Sequence, residues 1–148
     1  MKSIKLSNVY LKYGSSIGNV KEKNGPVGKY FDYCFDDLSC GEKTWEKAEM
    51  KMYKKAIDVS LMKSKLDLQD IGLIISADLN NQIVIGSYAL KDFDIPYFGI
   101  FSACASSVQG MILASSFVQN KSFKNVMVNV SSHNATAEKQ FRYPLEYG

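Results

Sequence analysis

The chain has one histidine and three cysteines among its 148 residues, and no two of those cysteines form a C-x-x-C pair. A structural zinc site takes four nitrogen or sulfur ligands at characteristic spacings, so this composition argues against one. The odd set Cys34, Cys40 and Cys104 reads as reduced thiols in a cytosol-like compartment, not as a disulfide framework. A large excess of charge of one sign is also lacking. The net charge is only +3, and the lysines at 63, 65, 121 and 124 read as solvated helix ends. No aromatic–basic motif accompanies them, so nucleic acid is not an expected partner. The first residues, Met1 to Asn8, hold no long apolar core, and no signal peptide is expected. No cofactor and no resident metal is expected either.

The longest absence is of charge. Between Asp94 and Lys121 there is no charged side chain. That length tempts a transmembrane reading, but Pro96, Gln109 and five serines (102, 106, 107, 115, 116) argue against it. A strand followed by a helix fits better. Tyr97 to Phe101 reads as a short, fully buried strand. From Ala105 onward, Ala, Ser and Gly predominate, a composition that lets a helix be surrounded closely on all sides. Cys104 falls at the junction. Free N–H groups and the helix dipole there favour a thiolate, so Cys104 is either a nucleophile or a small buried packing residue.

The remaining chain supplies an α/β pattern. Val9 to Ile17 alternates weakly and predicts a strand entering a loop. Residues 18–42 form a long connection with the turn signal Gly25-Pro26-Val27-Gly28 and four aromatics, Tyr30, Phe31, Tyr33 and Phe35. Thr44 is a plausible N-cap for a helix carrying the stripe Trp45, Ala48, Met52, Ala56, Val59. Glu46 and Glu49 lie near the positive start of that helix and Lys63 near its negative end. Strands are predicted at Ile71 to Ser76 and Val126 to Val130, and Gln82 to Leu90, ambiguous by period, is assigned to a helix. The order β-α-β-α-β-α-β implies a mainly parallel sheet covered by helices.

In such sheets ligands gather beyond the carboxyl ends of the strands. Asp78, Cys104 and the run Ser131-Ser132-His133-Asn134 all fall there. Asp78 could contact ligand, cap the next helix or bind a cation. Ser131, Ser132 and Asn134 are natural donors to a carboxylate. His133 is either a general base or a residue that orders its loop. Arg142 could clamp a carboxylate or form a salt bridge. The last residues, Ala137 to Gly148, carry four large aromatic or apolar side chains (Phe141, Tyr143, Leu145 and Tyr147) and read as an interrupted element.

Five stretches carry a resemblance: Gly-Pro-Val-Gly-Lys-Tyr-Phe-Asp from Gly25, Lys-Thr-Trp-Glu-Lys-Ala-Glu from Lys43, Ala-Asp-Leu-Asn-Asn-Gln from Ala77, Phe-Ser-Ala-Cys-Ala-Ser-Ser from Phe101, and the long run from Ser131 to Gly148. On them the chain resembles the stage V sporulation protein AD family of endospore-forming bacteria, within the thiolase-like superfamily. The resemblance covers nearly all of this chain but about the first half of the family's length. It implies a thiolase-like α/β fold, with residues 1–148 as the N-terminal half-domain and the C-terminal half absent. It implies a sporulation protein that binds dipicolinic acid, usually as its calcium chelate, and supports its uptake into the developing spore. The implied place is the forespore, peripheral to the inner spore membrane. The implied partners are membrane proteins of the same uptake system; a lone half would leave one side of the helix after Cys104 uncovered, so self-association into a homo-oligomer is a further expectation. The ligand set implied is Asp78, Cys104, Ser131, Ser132, His133 and Asn134. The alternative is an acyltransferase or condensing enzyme with Cys104 as acyl acceptor, but the groups that complete that catalytic set come from the second half. A nucleophile without its base and oxyanion donors loses most of its acceleration.

Overall fold

Elements begin where the hydrophobic period of the chain changes. The computed structural model describes residues 3–80 and 83–137. Three expectations lie outside those residues: the Gln82 start of a helix, the carboxylate clamp at Arg142, and the motif from residue 138 onward.

Residues 3–16 form no regular element, and the first strand, β1 (Ile17–Gly18), has two residues. The strand expected over Val9 to Ile17 is thereby corrected. A strand persists by pairing its N–H and C=O groups, and no described strand runs beside residues 9–16. Side chains hold the segment instead. The Ser15 hydroxyl shares a hydrogen bond with Ser60 (2.7 Å) and lies 3.0 Å from the Ala56 carbonyl. After β1 comes a single helical turn, α1 (Val20–Lys23), started by an Asn19 capping box. Strand β2 (Tyr33–Cys34) pairs parallel to β1, making a ribbon separate from the main sheet.

Helix α2 (Trp45–Ser64) begins as its sequence predicts. The Thr44 side chain accepts from the Lys47 amide, satisfying one of the orphan donors of the first turn. It ends in a Schellman turn. Lys65 adopts φ 54°, and the Leu66 amide reaches back to the Leu61 carbonyl.

The main sheet holds β3 (Leu73–Ala77), β4 (Tyr97–Gly99) and β5 (Val126–Val130) in the order β4-β3-β5, all parallel. Two helices complete the connections, α3 (Val84–Leu90) and α4 (Ser106–Gln119). The central strand β3 is buried at every position and sends alternate side chains to two cores. Ile74 packs with Tyr53, Ile57, Ile85 and Ala89 against α2 and α3. Leu73, Ile75 and Ala77 pack with Ile100 and the inner residues of α4. Burial of each such aliphatic side chain stabilises by roughly 1.5–3 kcal/mol. Close approach fixes one glycine here. A Cβ at Gly86 would lie 2.0 Å from the Ser76 hydroxyl, so α3 could not reach the sheet with a larger residue.

Two burial expectations are corrected. The strand at 97–101 is an exposed edge, with Tyr97, Phe98 and Phe101 in contact with solvent. Helix α4 packs on one side only; Val108, Met111 and Ile112 are exposed. Small residues permit close packing on all sides, but among the described residues only β3, β5 and their neighbours supply it.

Candidate ligand site at the carboxyl edge of the sheet

Because the three strands are parallel, Asp78, the Ser102–Ala105 turn and Ser131 all follow carboxyl ends on one edge. The structure links two of these three positions through a residue that sequence reasoning had assigned elsewhere. Glu49, in the second turn of α2, is 1% exposed. Its Oε1 accepts from the Ser131 hydroxyl at 2.7 Å, and its Oε2 accepts from the Asn80 side-chain amide at 3.2 Å. One carboxylate therefore ties α2 to the loop after β3 and to the loop after β5. Burial pushes the Glu49 carboxyl above its ordinary range, the two hydrogen bonds oppose this, and the negative field of Asp78 adds to it.

Asp78 is 2% exposed and fully engaged. One oxygen accepts from the Asn80 amide and the other from the Gly86 amide, both at 2.9 Å. Of the roles open to it, cap and brace for α3 is the one the geometry displays. Desolvation also raises its carboxyl, against those amide bonds.

His133 is buried. Its Nε2–H donates to the Leu38 carbonyl at 2.7 Å, and its ring stacks on Trp45 with centroids 5.8 Å apart. Its Nδ1 has no hydrogen-bond partner among the described residues. The ring thus pins the 35–41 loop to the start of α2, and no described hydrogen bond joins it to Cys104. Ser132 and Asn134 are exposed beside it.

Cys104 departs from expectation. It is exposed, in a 3-10 turn (Ala103–Ala105) that leads into α4. Ala103, just before it, has φ 46°, a left-handed conformation costly for a residue with a Cβ. The packing that sequence analysis expected around this thiol would have to come from a surface beyond the described residues. Among those residues no grouping of three or more potential metal ligands occurs.

A groove of about 820 Å³ runs along the outer edge of β5, between that strand and residues 8–17. Glu49, Ser131 and Ser132 line it; Asp78, Cys104, His133 and Asn134 do not. The predicted site residues therefore divide into a buried brace (Asp78, His133), a groove wall (Ser131, Ser132), an exposed donor (Asn134) and a separate exposed thiol (Cys104). Glu49 was the omission, although its spacing from Trp45, Met52 and Ala56 places a carboxylate inside an apolar stripe.

A family model, Stage V sporulation protein AD (SpoVAD), matches residues 2–148. The chain belongs to the stage V sporulation protein AD family. A curated relative, stage V sporulation protein AD of Bacillus subtilis, is 39% identical over 140 residues, which is 95% of this chain and 41% of that protein. The chain thus spans about two-fifths of the length of the curated relative it matches. Solved structures agree on a thiolase-like fold. The 3-oxoacyl-[acyl-carrier-protein] synthase III of Aquifex aeolicus superposes with a TM-score of 0.53 at 24% identity, over 65% of this chain and 32% of that one. Cerulenin-bound OleA of Xanthomonas superposes with a TM-score of 0.53 at 17% identity, over 66% and 32%. At such identities the likeness establishes fold alone. This is a sporulation-family protein with a thiolase-like α/β fold, and no described helix is long and apolar enough to cross a membrane.

Proposed function

We propose that this chain supplies part of a binding site for dipicolinic acid, taken free or as its calcium chelate, in the uptake of that acid into the developing spore. Family membership across residues 2–148 is the observation that carries the reading. The chemistry of the sheet edge supports it. A flat diacid needs hydrogen-bond donors at its carboxylates and an apolar surface for its ring. Ser131 and Ser132 offer hydroxyls on a groove that also holds Met52, Tyr53 and Met111. The working location in this reading is the forespore side of the inner spore membrane, with membrane proteins of the same uptake system as partners. Calcium, if bound, arrives with the ligand, because the nearby carboxylates of Glu49 and Asp78 are already engaged by protein donors.

A nuclear magnetic resonance titration of the chain with dipicolinate tests this and reads even millimolar affinity. Saturable shifts at Ser131 to Asn134 are expected. No saturable shift anywhere would remove this chain from the site.

The exposed Cys104 beside a strained Ala103 favours a second reading, acyl transfer through the thiol. Mass spectrometry after incubation with acyl-CoA separates the two, since a stable adduct on Cys104 supports transfer.

A further inference from the structure

Glu49 is a buried carboxylate with no lysine or arginine ion-paired to it among the described residues. It lines the groove, and it holds the hydroxyl proton of Ser131. That bond has a consequence for any anion approaching the loop after β5. While Glu49 is ionised it accepts only, so the one hydrogen of Ser131 Oγ points at Glu49 and is unavailable to a ligand. An anionic ligand would also meet the Glu49 charge through a poorly solvated wall.

We propose that a carboxylate ligand binds at Ser131 together with one proton, which Glu49 takes up. The proton comes from solvent and adds to Oε1. The new O–H donates to the Ser131 oxygen, and the serine hydrogen turns to the ligand. Asn80 keeps its bond to Oε2 throughout. No other bond is made or broken. The proposal deepens the dipicolinate reading and rests on it.

The groups around Glu49 bear on which of them takes the proton. From the β3 loop it faces Asp78, whose two oxygens both accept backbone amides and would lose a partner on protonation. From its own helix Tyr53 lies one turn on, with its hydroxyl donating to Ser76. From the β5 loop His133 stacks on Trp45, one turn earlier in α2; its Nε2–H is committed to Leu38, while its Nδ1 has no described partner and is the competing proton acceptor that Glu49→Gln leaves in place. Burial already favours the protonated Glu49 carboxyl, and an anion bound beside it acts in the same direction.

The test is the pH dependence of dipicolinate affinity, measured by the same titration at about pH 6 and about pH 8, where the ligand's own carboxylates stay ionised. Linked uptake of one proton tightens binding by up to about tenfold for each unit of pH lowered. Glu49→Gln imitates the protonated state, since its amide nitrogen donates to Ser131 while its oxygen accepts from Asn80. This variant is expected to bind equally well at both pH values, at least as tightly as the wild type at the lower one. Its amide spectrum checks that the fold is intact. Ser131→Ala gives an independent arm. It should weaken binding more at the lower pH, where the hydroxyl is free for the ligand, than at the higher. Wild-type affinity that ignores pH, or a pH dependence that survives in Glu49→Gln, overturns the proposal and leaves the binding site standing. No binding by any variant at either pH overturns the dipicolinate reading with it.

Discussion

Single residues set the behaviour of the sheet edge, and two of them can be read by substitution. Asp78→Ala would strand the Asn80 and Gly86 amides in a buried place. An unsatisfied buried donor costs about 1–3 kcal/mol, so urea denaturation should show a loss of at least that size, with Asp78→Asn losing less. Glu49 acts on stability with the opposite dependence on pH from an ordinary paired carboxylate. Its folded-state affinity for a proton is raised by burial. Between the ordinary value for glutamate, about 4.3, and the raised folded value, the native state holds more protons than the unfolded one. Stability is therefore fully present below the ordinary value and falls as pH rises through the folded one. Glu49→Gln should flatten that fall; a difference curve rising with pH would contradict the burial argument. The thiols of this chain differ in access. Cys40 is buried, its thiol pushed up to about 11, while Cys104 is exposed. Iodoacetamide near neutral pH should modify Cys104 well before Cys40, as read by peptide mass spectrometry.

At the scale of elements, α2 is the keystone, since it carries Glu49, touches both ribbon and sheet, and receives the loops after β3 and β5. Thr44→Ala removes its N-cap and should cost about 1 kcal/mol by urea denaturation. Lys65→Gly should act in the other direction, stabilising by a few tenths to about 1 kcal/mol, because only glycine adopts φ 54° without strain. These features were legible in the sequence: a threonine before an apolar stripe, mainly apolar runs at 73–77 and 126–130 broken only by Ser76 and Asn129, and a parallel order. Three others were not. Residues 9–16 alternate like a strand but have no described partner edge, and period alone cannot say whether one exists. Tyr97 to Phe101 is apolar like a buried strand, yet burial depends on what lies opposite. Glu49 reads as a helix-dipole residue because acids are common near helix starts. Only its position within the stripe, between Trp45 and Met52, marked it as inward-facing.

The whole molecule carries an apolar surface that its own described residues leave open. Phe98, Phe101, Val108, Met111 and Ile112 are each about half exposed and lie on β4, the turn after it and one side of α4. Soluble monomers seldom show continuous apolar patches beyond a few hundred Å². The chain spans 41% of the length of its Bacillus subtilis relative, so a surface of this kind has ample sequence elsewhere in that protein to meet. In the 148-residue chain the same surface should drive association with a second copy. Sedimentation velocity over a tenfold dilution is expected to show a concentration-dependent shift from monomer to larger species. Replacing Met111 and Ile112 with lysine should return the chain to a monomer. Both side chains are exposed, so each change should alter folding stability by no more than about 0.5 kcal/mol. That insensitivity separates a surface effect from a core one. If the unsubstituted chain sediments as a monomer at every dilution and unfolds cooperatively, the patch is tolerated by solvent and the association argument fails. If instead the lysine variant associates as strongly as the parent, contact is made elsewhere, and the edge of β5 beside the groove, which no described strand pairs, is the next surface to block.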